Sequence, residues 1–251
     1  MKKVGTLAAA VLLLAGCSPD RTQAPPKPEN PDRTNVRWIL NPAIDLMSPE
    51  GTFIRAAAES WKQVWTSRKF GPEAIKEYTY PGFEHAFNNS FGTTVGGVNV
   101  THLIVGTRYF EVINFQREGD HFIADVCEYG SQVASETGDG KYTSGGPKKY
   151  SASGNSFVFG PDPSLSPEQQ HAPPARQRGP ANRPTDNVFG TWVLTESGVR
   201  QSMDKAAMHE FLTRCDRPAP GTPGNLPNPY LRPEPPPTLP PDPGWPDAGN
   251  M

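Results

Sequence analysis

The 251-residue sequence predicts an α+β domain: N-terminal helices packed on a curved antiparallel sheet, with Pro-rich disordered flanks. Three observations lead there. Phe53, Ile54, Ala57, Ala58, Trp61, Val64 and Trp65 recur at helical spacing and make one broad apolar face. Thr107–Gly130 reads as two β-prone strands joined by a tight turn at Glu118-Gly119-Asp120. Helical patterns come first and strands follow in a run, which is the order of an α+β fold rather than of alternating βαβ units.

Taken in order, Asn35–Leu40 is short and apolar and is expected to pack on the domain edge. Ser48-Pro49-Glu50 opens the long helix. Serine suits the N-cap, proline the first helical position, and glutamate the positive end of the dipole. Arg55, Glu59, Lys62 and Gln63 fall opposite the apolar face, which places them toward solvent. Gly71-Pro72 stops this helix and a shorter one begins at Pro72. Tyr80-Pro81-Gly82-Phe83 is a turn, and Phe83, Ala86, Phe87 and Phe91 suggest one or two further helical turns. Val95–Val105 is read as a strand leading into the central hairpin.

In that hairpin, alternation puts Tyr109, Ile113 and Phe115 on one face and Phe110 and Val112 on the other. On its second strand Phe122, Ala124 and Val126 oppose Ile123, Cys127 and Tyr129. Large apolar residues on both faces require cover on both sides. Ser135–Gly146 reads as a polar loop, Asn155–Gly160 and Val188–Glu196 as strands, and Gln201–Cys215 as a terminal helix.

Proline divides the chain. Of 30 prolines, five lie in Ser18–Asn35, seven in Pro161–Asp186 and thirteen in Asp216–Met251. Proline lacks a backbone donor, so these segments are expected to stay outside helices and sheet ladders. They are read as a tether, a disordered insertion and a disordered tail, with polyproline II stretches in the tail. The single domain then spans residues 36–215, with the insertion at 161–186. Hydrophobic residues make up 35% of the chain, and the polar flanks dilute that figure enough for the domain to bury a normal core.

The N-terminus carries a distinct signal. Met1-Lys2-Lys3 is basic, Thr6–Ala15 is apolar, and Leu14-Ala15-Gly16-Cys17 closes the run. The run is shorter than the ~20 residues of a spanning helix and fits an export signal. It resembles the lipobox of bacterial lipoproteins. The resemblance implies cleavage of residues 1–16, lipidation of Cys17, and anchorage to the outer face of the cell membrane through two acyl chains, each worth about 0.8 kcal/mol per buried CH₂. The alternative is an ordinary signal peptide with an incidental cysteine. Loss of Lys2 and Lys3 would leave 22 basic residues against 26 acidic, a formal charge of −4. That balance argues against a nucleic-acid partner.

A long helix, a shorter one, then strands ending in one that contains Trp192 resembles the nuclear transport factor 2-like (cystatin-like) cone over Ser48–Glu196. With the lipobox and Pro-rich flanks, the chain also resembles lipoproteins of mycobacteria and related actinobacteria. With Cys17 assigned to lipid, Cys127 and Cys215 remain, and an exported compartment is oxidising, so a disulfide is expected. Two free buried thiols are the alternative.

Signals for chemistry are sparse. His85, His102, His121, His171 and His209 show no metal-pair spacing, and no nucleophile elbow, phosphate loop or cofactor fingerprint occurs. Asn99 heads an Asn-x-Thr sequon, which is discounted for a bacterial chain. His121 and Asp125 lie four apart on one strand and so share a face, as an acid–base pair would; a surface histidine beside a turn is the competing reading. Tyr109, Phe115 and Trp192 could join them in lining a cavity, or could simply be core. The expected function is a non-enzymatic interaction or accessory module of the cell envelope, with an envelope protein as partner. The alternatives are a binder of a small apolar ligand and an isomerase- or hydrolase-like enzyme using His121 and Asp125.

Overall fold

Ser48 starts the longest helix among the described residues, α1 (Pro49–Trp65), by accepting a hydrogen bond from the Gly51 amide at 3.0 Å. The computed structural model describes residues 30–88, 100–145, 150, 152–198 and 203–247. Cys17 and the export signal, most of the tether, Phe91, Asn99 and the proposed strand residues 95–99 lie outside them. Helices α2 (Gly71–Tyr78) and α3 (Phe83–Phe87) follow, as the proline and aromatic spacing predicts. The turn between them bends at Gly82, whose φ of 90° suits only a residue without Cβ.

Among the described residues, eight strands form one open, mostly antiparallel sheet: β1 (Asn35–Trp38), β2 (Ile104–Glu118), β3 (His121–Tyr129), β4 (Val133–Glu136), β5 (Tyr142–Ser144), β6 (Ala152–Pro161), β7 (Trp192–Gly198) and β8 (Tyr230–Arg232). The order is β7-β6-β3-β2-β4-β5-β8, and β1 runs parallel along β2. Helix α4 (Lys205–Cys215) starts at an Asp204 cap. The predicted hairpin is β2–β3, closed by Gly119-Asp120 with Glu118 opposite His121. The expected polar loop at Ser135–Gly146 instead holds the short strands β4 and β5. At four and three residues, with only Val133, Ala134 and Tyr142 apolar, they are too short to show the alternation of a stronger strand.

The faces of β2 are not what simple alternation predicts. Val112 pairs with Val126, but Asn114 pairs with Asp125, so Ile113 is an extra residue in a bulge. The bulge reverses the phase. Phe115 joins Phe110 and Val112 on the helix side, while Tyr109 and Ile113 face the other way. Under α1–α3, Phe53 stacks on Phe159 at 4.6 Å and Phe122 stacks on Trp192 at 5.2 Å, within a continuous apolar core. On the opposite face α4 covers Tyr109, Cys127 and Tyr129. A Cys127–Cys215 disulfide ties α4 to β3, with the two Cα atoms 5.2 Å apart. Gly154 on β6 makes room for this helix: a Cβ there would lie 2.7 Å from the Phe211 ring.

The Pro-rich segments depart most from expectation. Pro161–Asp186 and residues 216–247 are laid against the domain as ordered chain, with a short 3-10 turn at Pro167–Gln169, strand β8 at Tyr230–Arg232, and Pro173, Pro184, Pro236, Pro243 and Trp245 buried. Proline removes a donor but keeps its carbonyl acceptor. The domain supplies the donors. Arg37 reaches the Pro240 carbonyl at 2.8 Å, Thr107 Oγ1 reaches that of Pro237 at 2.9 Å, and Arg55 reaches that of Pro243 at 2.9 Å. The tail also pairs with the outer edge of β1, where Trp38 N–H donates to Asp242 O at 2.7 Å and Asp242 N–H to Val36 O at 3.2 Å. A sheet edge that would stand open is thereby covered by the chain's own C-terminal strap.

Candidate functional site

Helix α1 is buried on the side expected to face solvent. Arg55 is 0% exposed and Glu59 3%. Glu59 accepts three hydrogen bonds, each from an aromatic ring on a different segment. Trp38 Nε1 of β1 donates at 2.7 Å, the Tyr80 hydroxyl at 2.6 Å and Trp245 Nε1 of the strap at 2.9 Å. Burial pushes the Glu59 carboxyl above its ordinary range, while the Arg55 charge and these bonds pull it back. Arg55, one turn earlier, donates to Gln177 O at 2.6 Å and to Pro243 O and Gly244 O at 2.9 Å each. Its guanidinium lies 4.3 Å from the centre of the Trp245 ring. Burial lowers its pKa from the usual arginine value. The pair therefore grips the strap from both ends of one indole.

One turn further along, Lys62 pairs with Glu128 of β3 at 2.8 Å. Arg108 of β2 bridges the same carboxylate to Asp32, which it meets at 3.1 Å. Burial alone would raise the Glu128 carboxyl, but the charges of Lys62 and Arg108 and their hydrogen bonds hold it down at about 2. Lys62 is pushed down by burial and by the neighbouring Arg108 charge. A third ionic group fixes the start of the tail: Glu111 accepts from Tyr129 Oη at 2.8 Å and pairs with Arg217.

Beside these networks opens a cleft of about 410 Å³. One wall is the chain entering the domain at residues 30–36; the other carries Gln63 of α1, Tyr80, Asn182 and Arg183. The single carboxylate among its described lining residues, Asp32, has no exposed side-chain surface and also accepts from Thr34 Oγ1 at 2.6 Å. Val36 is its only aliphatic residue. The second described cavity, between Ser131, Tyr150 and Thr222, holds about 20 Å³, no more than a water or so.

The sequence-predicted pocket residues do not converge. Phe115 and Trp192 flank Phe122 within the core, Phe115 stacking on Phe122 at 5.8 Å. Tyr109 lies across the sheet with α4. His121 is exposed beside the turn. Asp125 is buried and accepts from Ser156 Oγ at 2.6 Å and Asn114 Nδ2 at 3.0 Å, inside the sheet. None of the five lines either cavity. Cys127 and Cys215 do meet, as the cysteine count predicts.

What sequence reasoning missed is Arg55, Glu59 and Trp245. An Arg–Glu pair four apart on a helix reads as a solvent-exposed ion pair, and a lone tryptophan among prolines and glycines is the only hint that something buries it. Among the described residues no group of three or more His, Cys, Asp or Glu could hold a metal, and no helix is long and apolar enough to cross a membrane. Comparison with protein-family models, with curated proteins and with solved structures finds no match to this chain.

Proposed function

We propose that this chain is a lipid-tethered, non-enzymatic module of the bacterial cell envelope, anchored through Cys17 and acting by binding. The observation that carries the reading is how its buried ionisable groups are used. The carboxylates of Glu59, Glu128 and Glu111 each accept from segments distant in sequence, and the terminal nitrogens of Arg55 and Arg108 are spent on such segments too, with only the buried Nε of each left without a partner. An active site would leave such a group partly unsatisfied and open to a substrate. Asp125, the candidate acid–base carboxylate, is likewise taken up by Ser156 and Asn114. A cone of the nuclear transport factor 2-like kind is the finer architecture proposed. It is supported by the helices packed on one face of the β2-β3-β6-β7 part of the sheet. The tether of residues 18–29 would span at most ~40 Å, keeping the domain close to the membrane.

Fractionation of the native host tests the anchor. The chain should be found in the membrane fraction, with a diacylglyceryl mass on an N-terminal Cys17. Cys17→Ala should release it to the soluble fraction without altering the domain's circular dichroism. An uncut chain recovered from the cytosol would overturn the reading.

A further inference from the structure

We infer that the cleft between residues 30–36 and Asn182-Arg183 is a binding site for a small hydroxyl-rich anion, an acidic or phosphorylated sugar. Its volume of about 410 Å³ falls in the range of small-ligand pockets. The chemistry of its walls sets the class. Asn182 presents a carboxamide, which donates and accepts at once and so suits vicinal hydroxyls; Asn30 and Gln63 bond each other and Asn35 donates to Leu239 O at 2.9 Å, so these three offer only their remaining donors and acceptors. The Asn182 carboxamide makes no hydrogen bond within the described chain, and its backbone carbonyl is held by the Tyr80 hydroxyl at 3.1 Å. The group is exposed on a backbone fixed from the core side.

Charge sets the sign. Asp32 is neutralised by Arg108 and has no exposed side-chain surface. Arg183 donates from one nitrogen to the neutral Thr79 carbonyl at 2.7 Å and leans on the Tyr80 ring at 5.5 Å. Its remaining donors face no described carboxylate, so the fork can take an oxyanion in two parallel bonds. Among the described lining residues only Val36 and the Tyr80 ring, which Arg183 already covers, are apolar, so an apolar ligand finds little to bury against.

The inference rests on the view that the chain acts by binding. It is tested on the purified full chain without a membrane, so its failure leaves the anchorage result untouched. Titration calorimetry would use glucuronate, glucose 6-phosphate, glucose and inorganic phosphate as probes. Glucuronate or glucose 6-phosphate should bind with Kd of millimolar or better, and glucose and inorganic phosphate at least tenfold more weakly. Arg183→Gln should weaken the anionic sugar at least tenfold. Asn182→Asp, a change at an exposed side chain that sets a negative charge on the rim, should do the same without moving the unfolding midpoint. The inference fails if no sugar binds, if glucose or inorganic phosphate binds as well as glucose 6-phosphate, or if Asn182→Asp binds like the parent.

Discussion

Trp245→Ala should unfasten the C-terminal strap at a cost close to the whole stability of many domains. The indole is 1% exposed, and removing a buried tryptophan side chain costs about 3–5 kcal/mol. The change also strips one of three donors from the buried Glu59 and the aromatic face from Arg55. Leaving a buried acceptor short adds roughly 1–3 kcal/mol, partly offset where water enters the gap. Together the loss is about 5 kcal/mol, against the ~5–15 kcal/mol that holds a typical domain folded. Trp245→Phe keeps most of the packing and drops only the N–H, so it should cost about 2 kcal/mol. Urea unfolding followed by far-ultraviolet circular dichroism measures both, without the change in emission that removing one of five tryptophans brings. Combining Trp245→Phe with Glu59→Leu should give less than the sum of the two, because the partner is already gone. A loss within about 1 kcal/mol for Trp245→Ala would refute the reasoning and return the tail to the status of a loose appendage.

Three further outcomes follow from other contacts. Glu128 titrates at about 2 when folded, below its ordinary 4.5. The stability it lends is full above pH 4.5 and is lost as pH falls toward 2. Glu128→Gln should therefore flatten acid denaturation in that window, by about 3 kcal/mol, and a parallel pair of curves would refute the assignment. Replacing both Cys127 and Cys215 by alanine opens an 88-residue separation, for which loop entropy sets an upper loss of about 4–5 kcal/mol. An unchanged urea midpoint would count against it. Gly154→Ala should press on the Phe211 ring and cost about 1–3 kcal/mol, with α4 shifted in amide-exchange protection; normal protection of α4 would contradict the close approach.

Local rules carried much of the fold. The Ser48 cap, the proline that follows it and the spacing from Phe53 to Trp65 specify α1 almost residue by residue, because they act within one or two turns. The β2–β3 turn is legible for the same reason. Pairings set by distant chain are not. Nothing local announces the bulge at Ile113, yet it moves Phe115 to the other side of the sheet. The Pro-rich tail reads as disordered because composition counts donors lost and ignores carbonyls kept. Its order depends on Arg37, Arg55 and Thr107, at least 130 residues upstream in every pairing. The cleft was invisible for the same reason: residues 30–36 and Asn182-Arg183 meet only once the chain has closed.

The strap has a consequence for the order of events in synthesis. In a chain made from its N-terminus, Glu59 can meet Trp38 and Tyr80 early but lacks its third donor until Trp245 arrives, 186 residues later. Until then Arg55 lacks the Trp245 ring and the Pro243 and Gly244 carbonyls, and the edge of β1 stands open. The core around Phe53 and Trp61 can thus collapse before the strap is in place, and the stretch from Asp242 to Trp245 acts as the closing stitch. A chain passed across a membrane before that stitch is made would travel without the strap's contacts, and would acquire them only on arrival.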